Sequence, residues 1–287
     1  MEATHAEWGA MRRPRSPRLT GLLLLTLLIA AGAAVARAAP GRELVGPRAI
    51  YLALGDSLAF GYQPNLDLTH GYVDLLFPRL QAFGTRQVVN LACPGETTTT
   101  MLAGGCRVSF LRKTRYSGSQ LAQAEALIRA NRGRVSPVTL TIGANDVLTD
   151  LGPRCEEHRE AFAAHLDQME ANLDQIVRAL IEALDGEGDL FVTTYYNPFV
   201  QACPNTDQYL QEVNGRITAV ARRHRAHVVA VADAFAGRTC ELTWMCSRYR
   251  DIHATTAGYQ VIAERILAAA GLSVPAELSP RRAGVSR

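Results

Sequence analysis

The chain has 287 residues, of which 48% are hydrophobic and 20% charged, and a formal net charge of +3. That is enough apolar sequence for a full core, and too mixed in charge for a disordered chain. Removing residues 1–38, read below as an export signal, takes away five arginines and two glutamates and leaves 25 basic against 25 acidic residues, so the electrostatic footprint of a nucleic-acid binder is absent.

Arg12, Arg13, Arg15 and Arg18 lead into an apolar run over 21–34, followed by Ala36-Arg37-Ala38. Basic residues, an apolar stretch and a small-x-small site are the pattern of a signal peptide, with cleavage after Ala38 and a mature start at Ala39. The run is short for a bilayer span, so no stable membrane span is expected after cleavage; an uncleaved anchor is the alternative. The mature chain is expected to be one domain over 39–275 with a disordered tail over 276–287, and to be secreted.

From residue 49 onward, short apolar runs alternate with amphipathic stretches, as in a parallel sheet covered on both faces. The runs at 50–54, 88–91, 138–142, 190–194 and 228–231 predict five strands. Phe162, Leu166, Met169, Leu173, Ile176, Val177, Leu180 and Leu184 recur at steps of three and four, which predicts a long helix ended by Asp185-Gly186. Further helices are predicted at 120–130 behind Ser119, at 208–225, and at 257–270 behind Thr256. His224 and His227 lie among Arg222, Arg223 and Arg225 and read as an exposed helix end, where positive charge suits the dipole, rather than as metal ligands.

In open α/β sheets, ligands sit beyond the carboxyl ends of the strands, so the loops after the strands carry the chemistry. The first reads Gly55-Asp56-Ser57-Leu58, where the serine alone is as well explained as a helix cap. The second contains Cys93-Pro94-Gly95-Glu96-Thr97, the third Gly143-Ala144-Asn145-Asp146, and Asp251-Ile252-His253 precedes the last helix. Four loops thus offer a hydroxyl, a backbone donor, an amide and an imidazole. Asp56 and Asp146 read as loop-orienting carboxylates, and 97–100 lacks the glycine framework of a phosphate loop.

Taken together, Ser57, Gly95, Asn145 and His253 resemble the four sequence blocks of the SGNH, or GDSL-type, hydrolases, in the family's order and across the mature chain. Cys-Pro-Gly-Glu-Thr-Thr, Tyr196-Asn197-Pro198-Phe199 and Trp244-Met245-Cys246 resemble its secreted, cysteine-containing esterase and lipase-like members. The resemblance implies a flavodoxin-like three-layer α/β/α fold with a five-stranded parallel sheet. It also implies a serine esterase needing neither metal nor cofactor, expected to act as a monomer on small-molecule or lipid esters. In that chemistry His253 takes the proton of Ser57, while the N–H groups of Ser57 and Gly95 and the amide of Asn145 form an oxyanion hole. The family's acid usually stands three residues before the histidine. Here that position is Arg250, so either Asp251 reaches the imidazole or a backbone carbonyl orients it. Phe60, Tyr195, Tyr196, Phe199, Trp244 and Met245 are candidates for an acyl pocket. A polysaccharide O-deacetylase and a non-catalytic ligand-binding protein on the same fold are the competing readings.

The six cysteines, Cys93, Cys106, Cys155, Cys203, Cys240 and Cys246, all lie in the exported part, and their even number points to disulfides. Local clamps between Cys93 and Cys106 and between Cys240 and Cys246 are attractive and would leave Cys155 for Cys203, but spacing alone does not choose among the connectivities. No closely spaced ligand pair suggests zinc.

Overall fold

The computed structural model describes residues 43–150, 159–200, 203 and 205–272. The expected signal segment, the tail over 276–287 and Cys155 lie outside the described residues. Five strands form one parallel sheet: β1 (Ile50–Gly55), β2 (Gln87–Asn90), β3 (Val135–Thr141), β4 (Leu190–Thr193) and β5 (His227–Val229), in the order β2-β1-β3-β4-β5. This is the flavodoxin-like order. Every residue of β1, β3 and β4 is buried because both faces of the sheet are covered; β1 and β4 are largely apolar, whereas β3 also buries Ser136, Thr139 and Thr141.

The helices are α1 (Ser57–Phe60), α2 (Tyr72–Gln81), α3 (Thr98–Ala103), α4 (Gln120–Ala130), α5 (Ala144–Val147), α6 (Arg159–Leu184), α7 (Thr206–Arg223), α8 (Ala232–Phe235), α9 (Thr239–Leu242) and α10 (Thr256–Ala269). One set packs α2 against α10, and the other packs α4 and α7 on either side of α6, so the three-layer architecture is present. All eight apolar residues of the predicted α6 stripe are buried.

Three readings need correction. The N-cap of α10 is Thr255, whose hydroxyl accepts from Gly258 N at 3.2 Å; Thr256 is already helical, and its hydroxyl faces Gln63. Helix α2 has no counterpart among the predicted elements, because it runs through Pro78, an ordinary helix breaker. His224 does stand at a helix end, as the C-cap of α7 behind Arg222 and Arg223, but it is not exposed, and His227 is not on that helix. His224 is half-buried against Asp174 of α6 at 2.8 Å, and His227 belongs to β5 and stacks on Phe191.

Candidate active site

The polypeptide leaves β1 through Gly55, whose φ of +128° and contact with the Thr141 carbonyl leave no room for a Cβ. Asp56 then takes the N-cap of α1: its Oδ1 accepts from Leu58 N at 2.8 Å. The capping role that a serine could have filled therefore belongs to Asp56. Ser57, the first helical residue, keeps its hydroxyl for other work. The second carboxylate oxygen of Asp56 accepts from Tyr195 OH at 2.6 Å. Burial pushes the Asp56 carboxyl up to about 6, against the lowering effect of the bonds from Tyr195 and Leu58.

The imidazole arrives from the loop before α10. His253 Nε2 stands 2.7 Å from Ser57 Oγ, across 196 residues of sequence. On the other side of the ring, Nδ1 is 2.6 Å from Asp251 Oδ1, which also accepts from His253 N at 2.8 Å. That second bond is an Asx turn. It explains how a carboxylate two residues away reaches the ring, and Arg250, in the left-handed region at φ +45°, turns the chain into it. The Asp251 carboxylate accepts a hydrogen bond from Nδ1–H, which leaves Nε2 as the acceptor for the serine hydroxyl. Burial works to raise the Asp251 carboxyl, but the bonds from the His253 ring and backbone N–H hold it below its ordinary value. The loop is braced by Trp244 N donating to His253 O at 2.9 Å, by an antiparallel bridge between Thr243 and Ala254, and by the Cys240–Cys246 disulfide.

Gly95 sits at the tip of the loop after β2 at φ +75°, exposed, with open space where a side chain would be. Neither its N–H nor that of Ser57 has an acceptor among the described residues. Asn145, on α5 after β3, donates one amide hydrogen to Glu96 O at 2.9 Å, and the other has no acceptor among the described residues. Asp146 accepts from the backbone and hydroxyl of Thr98 and so orients the loop after β2, while Thr97 and Thr100 cap α3 reciprocally rather than cradle an anion. The Cys93–Cys106 disulfide anchors the base of that loop. Cys93, Glu96 and Cys106 cluster closely, but both sulfurs are spent in the disulfide and offer no thiolate to a metal.

Beside Ser57, Asn145 and His253 opens a cleft of about 780 Å³ including its mouth. Tyr195, Tyr196 and Phe199 line it as expected, whereas Phe60, Trp244 and Met245 do not. Phe60 is buried in the core, and Trp244 turns its Nε1 to Gln63 Oε1 at 3.2 Å. The wall that sequence reasoning missed comes from Leu148, Phe162, Tyr209, Leu210, Val213 and Ile252. Tyr209 and Val213 recur at helical spacing on α7, so the stripe was visible, but not that part of it faces a cavity.

The family described as GDSL-like lipase/acylhydrolase matches residues 53–261. A search of the curated proteins gives no match. Among solved structures, the chain is similar to LAE5, an alpha/beta hydrolase enzyme from the metagenome of Lake Arreo, at 21% identity and TM-score 0.54, covering 80% of this chain and 98% of that one. It is also similar to Axe2, an acetylxylan esterase from Geobacillus stearothermophilus, at 19% identity and TM-score 0.54 with the same coverage. TesA matches at 21% identity and TM-score 0.51, over 77% of this chain and 97% of its own.

Proposed function

The chain belongs to the GDSL-like lipase/acylhydrolase family, and from that premise we propose that it is an exported serine esterase working through Ser57, His253 and Asp251. The observation that carries this reading is the unbroken line from Asp251 through both ring nitrogens of His253 to Ser57 Oγ, with contacts of 2.6 and 2.7 Å. A serine hydroxyl becomes a competent nucleophile when a neighbouring imidazole takes its proton as it attacks. His253 accepts that proton on Nε2 and returns it to the leaving alcohol, while Asp251 holds the tautomer and stabilises the imidazolium. The Ser57 acyl-enzyme is then hydrolysed by water activated through the same nitrogen. Negative charge on the former carbonyl oxygen is met by the N–H groups of Ser57 and Gly95 and the spare hydrogen of Asn145 Nδ2.

The aromatic and aliphatic wall of the cleft favours lipid or short-chain acyl esters as the substrate class. Removal of acetyl groups from a polysaccharide is the second reading, supported by the likeness to an acetylxylan esterase. Export through residues 1–38, leaving a domain over 39–275, is supported by the two disulfides among the described residues. Among those residues, no helix is long and apolar enough to cross a membrane. Hydrolysis of a chromogenic ester series from acetyl to palmitoyl, beside Ser57→Ala, tests the proposal. Activity that vanishes in the variant is expected; a folded, oxidised protein that turns over no ester would overturn it.

A further inference from the structure

Gln120 opens α4 and belongs to none of the four sequence blocks. Its side chain is buried, at 1% exposure. A carboxamide has one acceptor oxygen and two donor hydrogens, and here all are used. Oε1 accepts from Gly55 N at 2.5 Å, and Nε2 donates to Gly55 O and to Glu96 Oε2, each at 3.1 Å. The first two bonds repeat the exchange that a neighbouring peptide group would make with Gly55; past the end of β2 at Asn90, Cys93 N also donates to Gly55 O at 3.0 Å, but Gly55 N is met by Gln120. The third ties the same amide to the residue after Gly95. Burial pushes the Glu96 carboxyl up, and the Thr100 hydroxyl, the Gln120 amide and the Arg112 charge work against that rise; Oε1 itself has no hydrogen-bond partner among the described residues, so the Gln120 bond is the one that fixes Oε2.

We infer that Gln120 is a positioning residue: by clamping both backbone groups of Gly55 and the carboxylate of Glu96, it sets where the N–H groups of Ser57 and Gly95 stand relative to one another. The inference rests on the reading of Ser57 as nucleophile and Gly95 as oxyanion donor. An oxyanion hole acts only while its donors are pre-organised, and a misplacement of about 1 Å costs roughly 100-fold in rate. Ground-state binding in the cleft does not use those donors, so the loss belongs to kcat and not to KM. A leucine at 120 removes all three bonds. A glutamate keeps the acceptor for Gly55 N but turns a donor towards Glu96 into a like charge.

The test measures kcat and KM on a soluble chromogenic acetyl ester for the oxidised full chain, Gln120→Leu, Gln120→Glu, and the exchange variant combining Glu96→Gln with Gln120→Glu, with Ser57→Ala as blank. Gln120→Leu is expected to lose about 10- to 100-fold in kcat with KM within about twofold. Gln120→Glu should be slow at alkaline pH and gain relative to wild type as pH falls, when one carboxyl of the buried pair takes up a proton. The exchange variant, with an amide donor again facing an acceptor, should recover about tenfold over Gln120→Glu. Wild-type kcat in Gln120→Leu overturns the inference. So does an exchange variant no faster than Gln120→Glu when both melt at the wild-type temperature. If Gln120→Leu does not fold, the pH profile and the exchange variant decide. No turnover by the wild type, or full turnover by Ser57→Ala, would count against the esterase reading itself and not against the clamp.

Discussion

Two carboxylates flank the serine–histidine pair, and their surroundings drive them in opposite directions. Asp251, half-open to solvent and bonded by the ring and backbone of His253, is held low and stays charged. Asp251→Asn removes that charge and offers Nδ1 the wrong partner, so kcat should fall on the order of 10³–10⁴-fold with KM little changed, measured on a soluble ester. Asn145→Ala removes one donor of three and should cost about 100- to 1000-fold in kcat. Asp56 is buried and lifted from 3.8 to about 6. An acid whose native pKa lies above its unfolded value binds more protons in the native state between the two, so stability falls as pH rises through that window. Asp56→Asn can keep the cap on Leu58 without the charge. Its stability relative to wild type should therefore climb between pH 4 and about 6, level off above, and reach up to about 3 kcal/mol, read by urea melts across that range.

At the scale of elements, each disulfide serves one loop of the site. Cys93–Cys106 closes 13 residues at the base of the Gly95 loop, and Cys240–Cys246 closes six beside the His253 loop. Chain entropy makes the first worth about 3 kcal/mol and the second about 2. The serine pair at 93 and 106 should therefore lose more stability in denaturant melts than the pair at 240 and 246, and both should lose activity. The strands were legible because buried parallel strands are continuous apolar runs, and each ends within three residues of its predicted bounds. Helix α2 was not legible, since Pro78 interrupts the helical pattern and only packing against α10 shows the element. Asp251 was legible as a residue but not as a geometry: its reach depends on the Asx turn and on the left-handed Arg250, and neither is written in the spacing.

On the scale of the whole molecule, Ser57 and Asn145 follow β1 and β3, the neighbouring strands between which the sheet order reverses. That crevice is where such sheets bind ligands, so the position of the site could be read from topology alone. Its size could not. The apolar faces of α6 and α7 look the same in sequence whether they meet the core or line a cleft, which is why Phe162, Tyr209 and Val213 were not read as cleft lining. Leu210→Trp should narrow the cleft and shift the preference of an acyl series towards acetyl, by about tenfold or more relative to octanoyl, with little loss on acetyl itself.

The separation of 196 positions between Ser57 and His253 also sets the order in which the proposed chemistry could appear. A ribosome releases Ser57 and the loops of Gly95 and Asn145 long before it releases His253, and the Cys240–Cys246 clamp beside His253 closes only where thiols can be oxidised. A nascent or still-reduced chain thus holds a quiet serine in a half-built pocket. In the proposed mechanism, hydrolytic power would arrive last, with the segment that carries His253.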